Sequence, residues 1–240
     1  MDRKGLSYLL PIRCIVFILT FLSASLITGK NLINISCIWS VAVSIINILT
    51  IILLIYVSKK RKSDYKTLIC FEKGTTRISE VILISLLVII VGMGGMFLAG
   101  IIIYSSFMPA VSVLMIQPIN KILALINIFI LPVSTTLAED GLYLGCGVNG
   151  IQDRSLCIII PAFFYALQHS FMPMLFDARY ILYRFISFIP CVLLLCIIYK
   201  RKKNPLPIMV GHALLDVATV MQIAATSLIP GFYESMSSMV

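Results

Sequence analysis

Long, nearly uninterrupted apolar runs dominate the chain, and short polar segments separate them. A helix that crosses a bilayer needs about 20 apolar residues, a length that about seven of the runs reach. Because the runs are continuous and do not alternate apolar with polar positions, they predict membrane helices and not a membrane β-barrel. The predicted spans are Leu9–Thr28, Ile33–Val57, Val81–Tyr104, Lys121–Cys146, Leu156–Met172, Ile181–Tyr199 and Leu206–Leu228.

Two segments have a second interpretation. The first run begins after Arg3 and Lys4, as a secretory signal peptide would, but it is long for one and many spans follow. We therefore expect a retained helix. The stretch FMPAVSVLMIQPIN is apolar but contains Pro109 and Pro118. These prolines favour a loop or a re-entrant piece near the interface over an eighth span.

Composition supports the same fold class. The chain has 240 residues, of which 60% are hydrophobic and 12% are charged. Soluble domains average about 45–50% apolar and about 25% charged residues. The sequence therefore predicts an all-α, polytopic transmembrane helical bundle. We expect one membrane domain over residues 1–240, with no separate soluble domain and no internal repeat.

The positive charge is concentrated in two loops. The net charge is +9, and the clusters are SKKRKSDYK at 58–66 and KRKK at 200–203. Basic clusters can bind nucleic acid, but beside apolar spans they are typical of cytoplasmic loops. The pattern therefore predicts an integral membrane protein with a cytoplasmic N-terminus and no nucleic-acid partner.

Five ionisable side chains remain within or at the ends of apolar runs. They are Glu139, Asp140, His169, His212 and Asp216, and the chain has no other histidine. An ionisable group at the bilayer centre costs at least about 2.5–3.5 kcal/mol, so such groups face the bundle interior and often mark a function. The alternative is a polar network that only fixes helix packing.

Helical spacing groups some of these side chains. His212 and Asp216 are four residues apart and share one helix face, as do Tyr165 and His169. Glu139 and Asp140 are adjacent, so on an α-helix they point about 100° apart. We expect one of them to face a cavity and the other to orient a neighbour.

Three kinds of chemistry use this set of residues. One carboxylate and two imidazoles can hold Zn²⁺ with one position open. Alternatively, a carboxylate can act as general base on water while an imidazole and Asp216 stabilise the oxyanion. A proton or ion pathway in a small transporter uses the same residue types. The HExxH signature of common zinc proteases is absent from the sequence.

The three polar stretches together resemble the CPBP family of intramembrane proteases, also called the Abi or CAAX-protease family. The family motifs are a Glu pair followed by Arg, then Phe-x-x-x-His, then His-x-x-x-Asn/Asp. The corresponding stretches are AEDGLYLG, AFFYALQHSFMP and PIMVGHALLDVAT, within residues 120–225.

The resemblance implies a CAAX-protease-like core in the C-terminal half and a division of roles. Glu139 and His169 would activate a water molecule, and His212 and Asp216 would form the oxyanion site. Asp140 and Tyr165 would contact these catalytic side chains and orient them. A glutamate-activated water needs no cofactor, although Zn²⁺ is compatible with the residues.

The sequence departs from the family motifs at three positions. Asp140 replaces the second Glu, Tyr165 replaces Phe, and Leu144 stands where the family has Arg, five residues after Glu139. The four predicted catalytic residues are retained.

The resemblance also limits the function. It implies hydrolysis of a peptide bond in a peptide or membrane-protein substrate, such as a leader peptide, a pheromone or a C-terminal lipidated peptide. By analogy with small family members, the bilayer would be a bacterial cytoplasmic membrane. The alternative is a non-catalytic bacteriocin-immunity or sensor-partner protein of the same family.

Overall fold

A computed structural model describes residues 5–238, and Arg3 and Lys4 lie outside that range. Within it the fold is entirely helical, without β-strands. Seven helices form the bundle: α1 (Ile12–Thr28), α2 (Trp39–Lys60), α3 (Ile78–Tyr104), α4 (Lys121–Thr135), α5 (Leu156–His169), α6 (Ala178–Lys202) and α7 (Leu206–Leu228). Short helical segments precede, connect or follow them at Leu6–Leu9, Leu32–Ile35, Ser36–Ile38, Tyr65–Leu68, Ala110–Ile116 and Phe232–Ser237.

The helices confirm an integral membrane protein. In the described chain, six segments are long and apolar enough to cross a bilayer, and α5 is a shorter apolar helix. Their bounds agree with the predicted spans to within about one helical turn. The six segments are Leu6–Thr28, Leu32–Lys60, Ile78–Tyr104, Lys121–Val148, Ala178–Lys202 and Leu206–Leu228.

Small residues let α3 approach two neighbouring helices closely. A Cβ atom on Gly95 would collide with the backbone oxygen of Ser187 on α6, and one on Gly92 would press on Leu215 of α7. The opposite face of α3 exposes large apolar side chains such as Leu83 and Ile90. Gly92 and Gly95 therefore serve close helix packing.

The proline-bounded stretch between α3 and α4 does not form an eighth span. It contains the 3₁₀-helix Ala110–Ile116. Trp39 Nε1 donates to the carbonyl oxygen of Met115 at 3.1 Å, and the amide of Ile119 donates to Ser227 Oγ at 3.0 Å. The segment is thereby tied to α2 and α7.

The basic loop after α2 folds back against the bundle. Leu68 and Ile69 are buried, and Asn149 Nδ2 donates to the carbonyl oxygen of Leu68 at 3.2 Å. The Tyr65 hydroxyl donates to the carbonyl oxygen of Leu137. The loop therefore packs against the segment that carries the two adjacent acids.

That segment is not an α-helix, contrary to the geometry assumed from the sequence. After Thr135 the chain continues without a break as a π-helix, Thr136–Val148. A π-helix pairs residues i and i+5, is rare, and often occurs at functional sites. The change begins four residues after Pro132, which lies inside α4 and has no N–H to donate.

Candidate active site

The π-helix carries Glu139 and Asp140 into the centre of the bundle. Their exposed fractions are 0% and 1%. Each carboxylate faces a different side of the same imidazole, that of His212 on α7. The wide π-helical turn thus allows two adjacent acids to serve one site, which the α-helical expectation did not provide for.

Glu139 divides its two oxygens between a cation and the histidines. Oε1 accepts from Arg13 Nη2 at 2.9 Å. Oε2 lies 3.7 Å from Nε2 of His169 and 3.9 Å from Nε2 of His212. Oε2 is buried and has no direct hydrogen-bond partner among residues 5–238. Both separations are longer than a direct hydrogen bond, so a water molecule can link these atoms only from beside the lines that join them.

Asp140 orients His212 from the opposite side. The Tyr165 hydroxyl donates to Asp140 Oδ1 at 3.0 Å and lies 3.1 Å from His212 Nδ1. Asp140 Oδ2 lies 3.4 Å from the same nitrogen. Because the hydroxyl has one proton and gives it to Asp140, Nδ1 must carry the proton in its contact with the hydroxyl. The Nε2 atom of His212 is therefore left to face Glu139.

His169 is the last residue of α5 and lies inside the bundle. The predicted fifth span continued to Met172, but the helix ends at His169, and the following loop is folded inside the bundle. The imidazole stacks on Phe188 at 3.6 Å between ring centroids. Arg184 Nε donates to the backbone oxygen of His169 at 3.2 Å.

Asp216 lies one turn beyond His212 on α7. It is close enough to His212, Glu139 and Asp140 to interact with them electrostatically. Its Oδ2 atom is buried and has no hydrogen-bond partner in the described part of the chain. All six residues named from the sequence thus lie around one buried point, with Asp216 at its edge.

Arg13 of α1 is the main site residue that the sequence reasoning missed. Its guanidinium is 1% exposed. Besides Glu139, it donates to Gln168 Oε1 at 2.6 Å, Thr50 Oγ1 at 3.0 Å and Asn47 Oδ1 at 2.8 Å. The missed signal was a cation within an apolar span, which applies to Arg184 as well.

The residues do not fit a metal ion. Within the described ranges, no group of three or more histidine, cysteine, aspartate or glutamate side chains is placed to hold one. The Arg13 guanidinium already neutralises Glu139, and it would repel a second cation at short range. The steps proposed below therefore run through water and side chains alone.

Comparison with known proteins confirms the family resemblance for the C-terminal half. A protein-family model described as "Type II CAAX prenyl endopeptidase Rce1-like" matches residues 121–218. That range contains Glu139, His169, His212 and Asp216, whereas Arg13 lies outside it. No curated protein and no solved structure matches the chain. Residues 121–218 are thus similar to a family of membrane endopeptidases.

Proposed function

We propose, from the Rce1-like match, that the protein is an intramembrane endopeptidase that uses a water molecule activated by Glu139 and His169. The observation that carries the proposal is the buried Oε2 atom of Glu139. It lies 3.7 and 3.9 Å from two imidazole nitrogens and has no direct hydrogen-bond partner in the described chain. A buried carboxylate oxygen aimed at two imidazoles is the arrangement expected of a general base on water.

In the first step, a water beside these atoms gives a proton to Glu139 Oε2. Its oxygen attacks the carbonyl carbon of the scissile peptide bond, and the carbonyl oxygen becomes an oxyanion. His169 Nε2 holds the water from the other side. The stack on Phe188 fixes the plane of that imidazole, so the water is oriented before the substrate arrives.

In the second step, His212 stabilises the oxyanion. Asp140 and Tyr165 surround Nδ1, so a second proton on Nε2 makes an imidazolium whose charge Asp140 balances. The Nε2–H then donates to the oxyanion. Asp216 can add a second donor only when its carboxyl group is protonated.

In the third step, the C–N bond breaks. Glu139 returns the proton to the departing amine, the carbonyl is restored as a carboxylic acid, and both peptide fragments leave. The proton count is balanced, because water supplies one proton to the amine and its OH to the acyl carbon.

The substrate we propose is a peptide or membrane protein that reaches the site from the bilayer, such as a leader peptide, a pheromone or a lipidated C-terminal peptide. The site lies between lipid-exposed helices, and its two histidines are each only 8% exposed. We propose a cytoplasmic N-terminus, supported by the basic clusters at the ends of α2 and α6. By analogy with small members of the similar family, we propose a bacterial cytoplasmic membrane.

The test is peptide release from liposomes that contain the purified full chain. The probes are internally quenched peptides, with and without a prenylated cysteine near the C-terminus, and membrane proteins extracted from expressing cells. Mass spectrometry identifies new termini. We expect cleavage by the wild type and its loss in Glu139→Gln and His212→Ala. Glu80→Gln is the matched control, because Glu80 pairs with Lys202 at the bundle surface.

A non-catalytic immunity or sensor protein is the second candidate. It is favoured by the closed site, in which Glu139 is fully buried. This candidate predicts that a protective phenotype survives Glu139→Gln and His212→Ala together. Loss of protection in step with loss of cleavage supports the protease. Cleavage that persists in both variants contradicts the mechanism.

A further inference from the structure

We infer that Arg13, from a helix outside the matched family region, is the positioning residue for Glu139 and takes the place of the arginine that the family motif has at position 144. The inference rests on the proposed function, since the role of Glu139 as a base gives the positioning its purpose. By this inference, α1 contributes a positioning residue to the proposed active site.

The first support is the contact itself. Arg13 is 1% exposed and its Nη2 donates to Oε1 of Glu139 at 2.9 Å. A hydrogen bond between a guanidinium and a carboxylate is short and charge-assisted, and it fixes the plane of the carboxylate. With Oε1 held, Oε2 is turned toward His169 and His212.

The second support is that the guanidinium is fixed from several directions. It is bound by Gln168 of α5 and by Asn47 and Thr50 of α2, as well as by the π-helix. Gln168 in turn accepts from the Tyr143 hydroxyl at 3.1 Å. Four of the five N–H donors of the guanidinium have partners, so its position relative to Glu139 is defined by three separate elements.

The third support is the complementary change in the motif. Leu144 is fully buried and belongs to the apolar core that includes Leu10 and Tyr143. In a π-helix, residues i and i+5 are one turn apart, so residue 144 follows Glu139 by one turn. An arginine there would bring its charge to Glu139 from the same helix. Here the position is apolar, and the cation comes from α1.

The charge balance gives the physical reason why one cation is needed. Glu139 and Asp140 are adjacent in the chain and both are buried. Two neighbouring negative charges repel each other strongly in a medium of low dielectric constant. Asp140 faces His212, so Glu139 needs a separate partner. Arg13 supplies that partner as a permanently charged group, with Nη2 2.9 Å from Oε1 of Glu139.

The test uses four variants of the full chain: Arg13→Leu, Arg13→Lys, Leu144→Arg and the double variant Arg13→Leu/Leu144→Arg. Phe21→Leu is the control, because Phe21 is a buried residue of α1 two turns away. The first measurement is the ring NMR signals of selectively labelled histidine in detergent micelles. The chain has only two histidines, and both are at the site.

We expect both histidine signals to shift in Arg13→Leu and to return toward their wild-type positions in the double variant. Phe21→Leu should leave them in place. For peptide cleavage, we expect a kcat about 100-fold lower in Arg13→Leu with little change in KM, because a small misplacement of a reacting group has an effect of this size. Arg13→Lys should retain part of the activity, since an ammonium replaces the charge but not the planar geometry.

The outcomes separate this inference from the proposed function. Unchanged histidine signals in Arg13→Leu, or a double variant no better than Arg13→Leu in both measurements, overturn the positioning role even if the wild type cleaves peptides. Recovery of the signals in the double variant supports the positioning of Glu139 even if no peptide is cleaved. In that case only the protease proposal fails.

Discussion

The two halves of the molecule contribute to one site in different ways. Residues 121–218 carry the acids and histidines of a recognisable motif, on α4 to α7 and the π-helix. The N-terminal helices match the family only in being apolar, yet α1 supplies the buried Arg13 and α2 supplies Asn47 and Thr50. A sequence motif can thus end well before the site does, because burial of a carboxylate requires a partner and any neighbouring helix can provide it.

The strongest test of this comparison is the stability of Arg13→Leu. Removing one partner of a buried ion pair typically lowers the free energy of unfolding by about 3–5 kcal/mol, because the other charge is left uncompensated. Arg13→Leu/Glu139→Gln should therefore be more stable than Arg13→Leu alone. Reversible unfolding in mixed micelles measures the free energy of unfolding of the wild type, of Arg13→Leu, of Glu139→Gln and of the double variant. If the losses in Arg13→Leu and Glu139→Gln simply add in the double variant, the N-terminal helices and residues 121–218 are not coupled through this ion pair.

The second prediction concerns the matched region itself. Asp140→Asn keeps the shape of the side chain but removes the charge that balances an imidazolium on His212. We expect kcat to fall about 100-fold, within the range for a lost electrostatic contribution to the transition state. Tyr165→Phe restores the aromatic residue of the family motif and should have a smaller effect. Equal activity of wild type and Asp140→Asn would remove Asp140 from the mechanism.

The third prediction separates packing from chemistry in the N-terminal half. Gly95→Ala places a methyl group against the backbone of Ser187, whereas a methyl group on Gly94 meets nothing within 4 Å. We expect Gly95→Ala to lower the free energy of unfolding by about 1–3 kcal/mol, and Gly94→Ala to be neutral or slightly stabilising. KM and kcat per folded molecule should stay unchanged in both. A kinetic effect of Gly95→Ala alone would mean that α3 also positions the site.

The smallest effect is expected at the surface of the matched half. Asp153 accepts from the amides of Ser155 and Leu156 at 2.8 and 2.7 Å at the start of α5, and these hydrogen bonds lower its pKa. A lowered pKa in the folded state contributes stability above the unfolded pKa, and that contribution is lost as the pH falls through the folded value. The difference in unfolding temperature between wild type and Asp153→Ala should therefore shrink below about pH 4. A difference that stays constant from neutral to acidic pH would contradict this role.

Much of the fold follows from the sequence because the bilayer imposes a simple rule. Backbone polar groups in lipid must be paired within the chain, so an apolar run of sufficient length becomes a helix. The bounds of Leu206–Leu228 were predicted to the residue, and the other spans to about one turn. The same logic identified the acids and histidines, because charge within an apolar run is costly.

The sequence alone determined a helical membrane protein, the order of its spans and the polar residues of its CAAX-protease-like half. Tertiary structure decided three other features: the π-helix at Thr136–Val148, the early end of α5 at His169 and the pairing of Glu139 with Arg13. The first two are local geometries that propensity and periodicity do not distinguish from an α-helix. The third joins residues far apart in the chain, and it depends on which helix packs beside the buried carboxylate, a choice that no local pattern records.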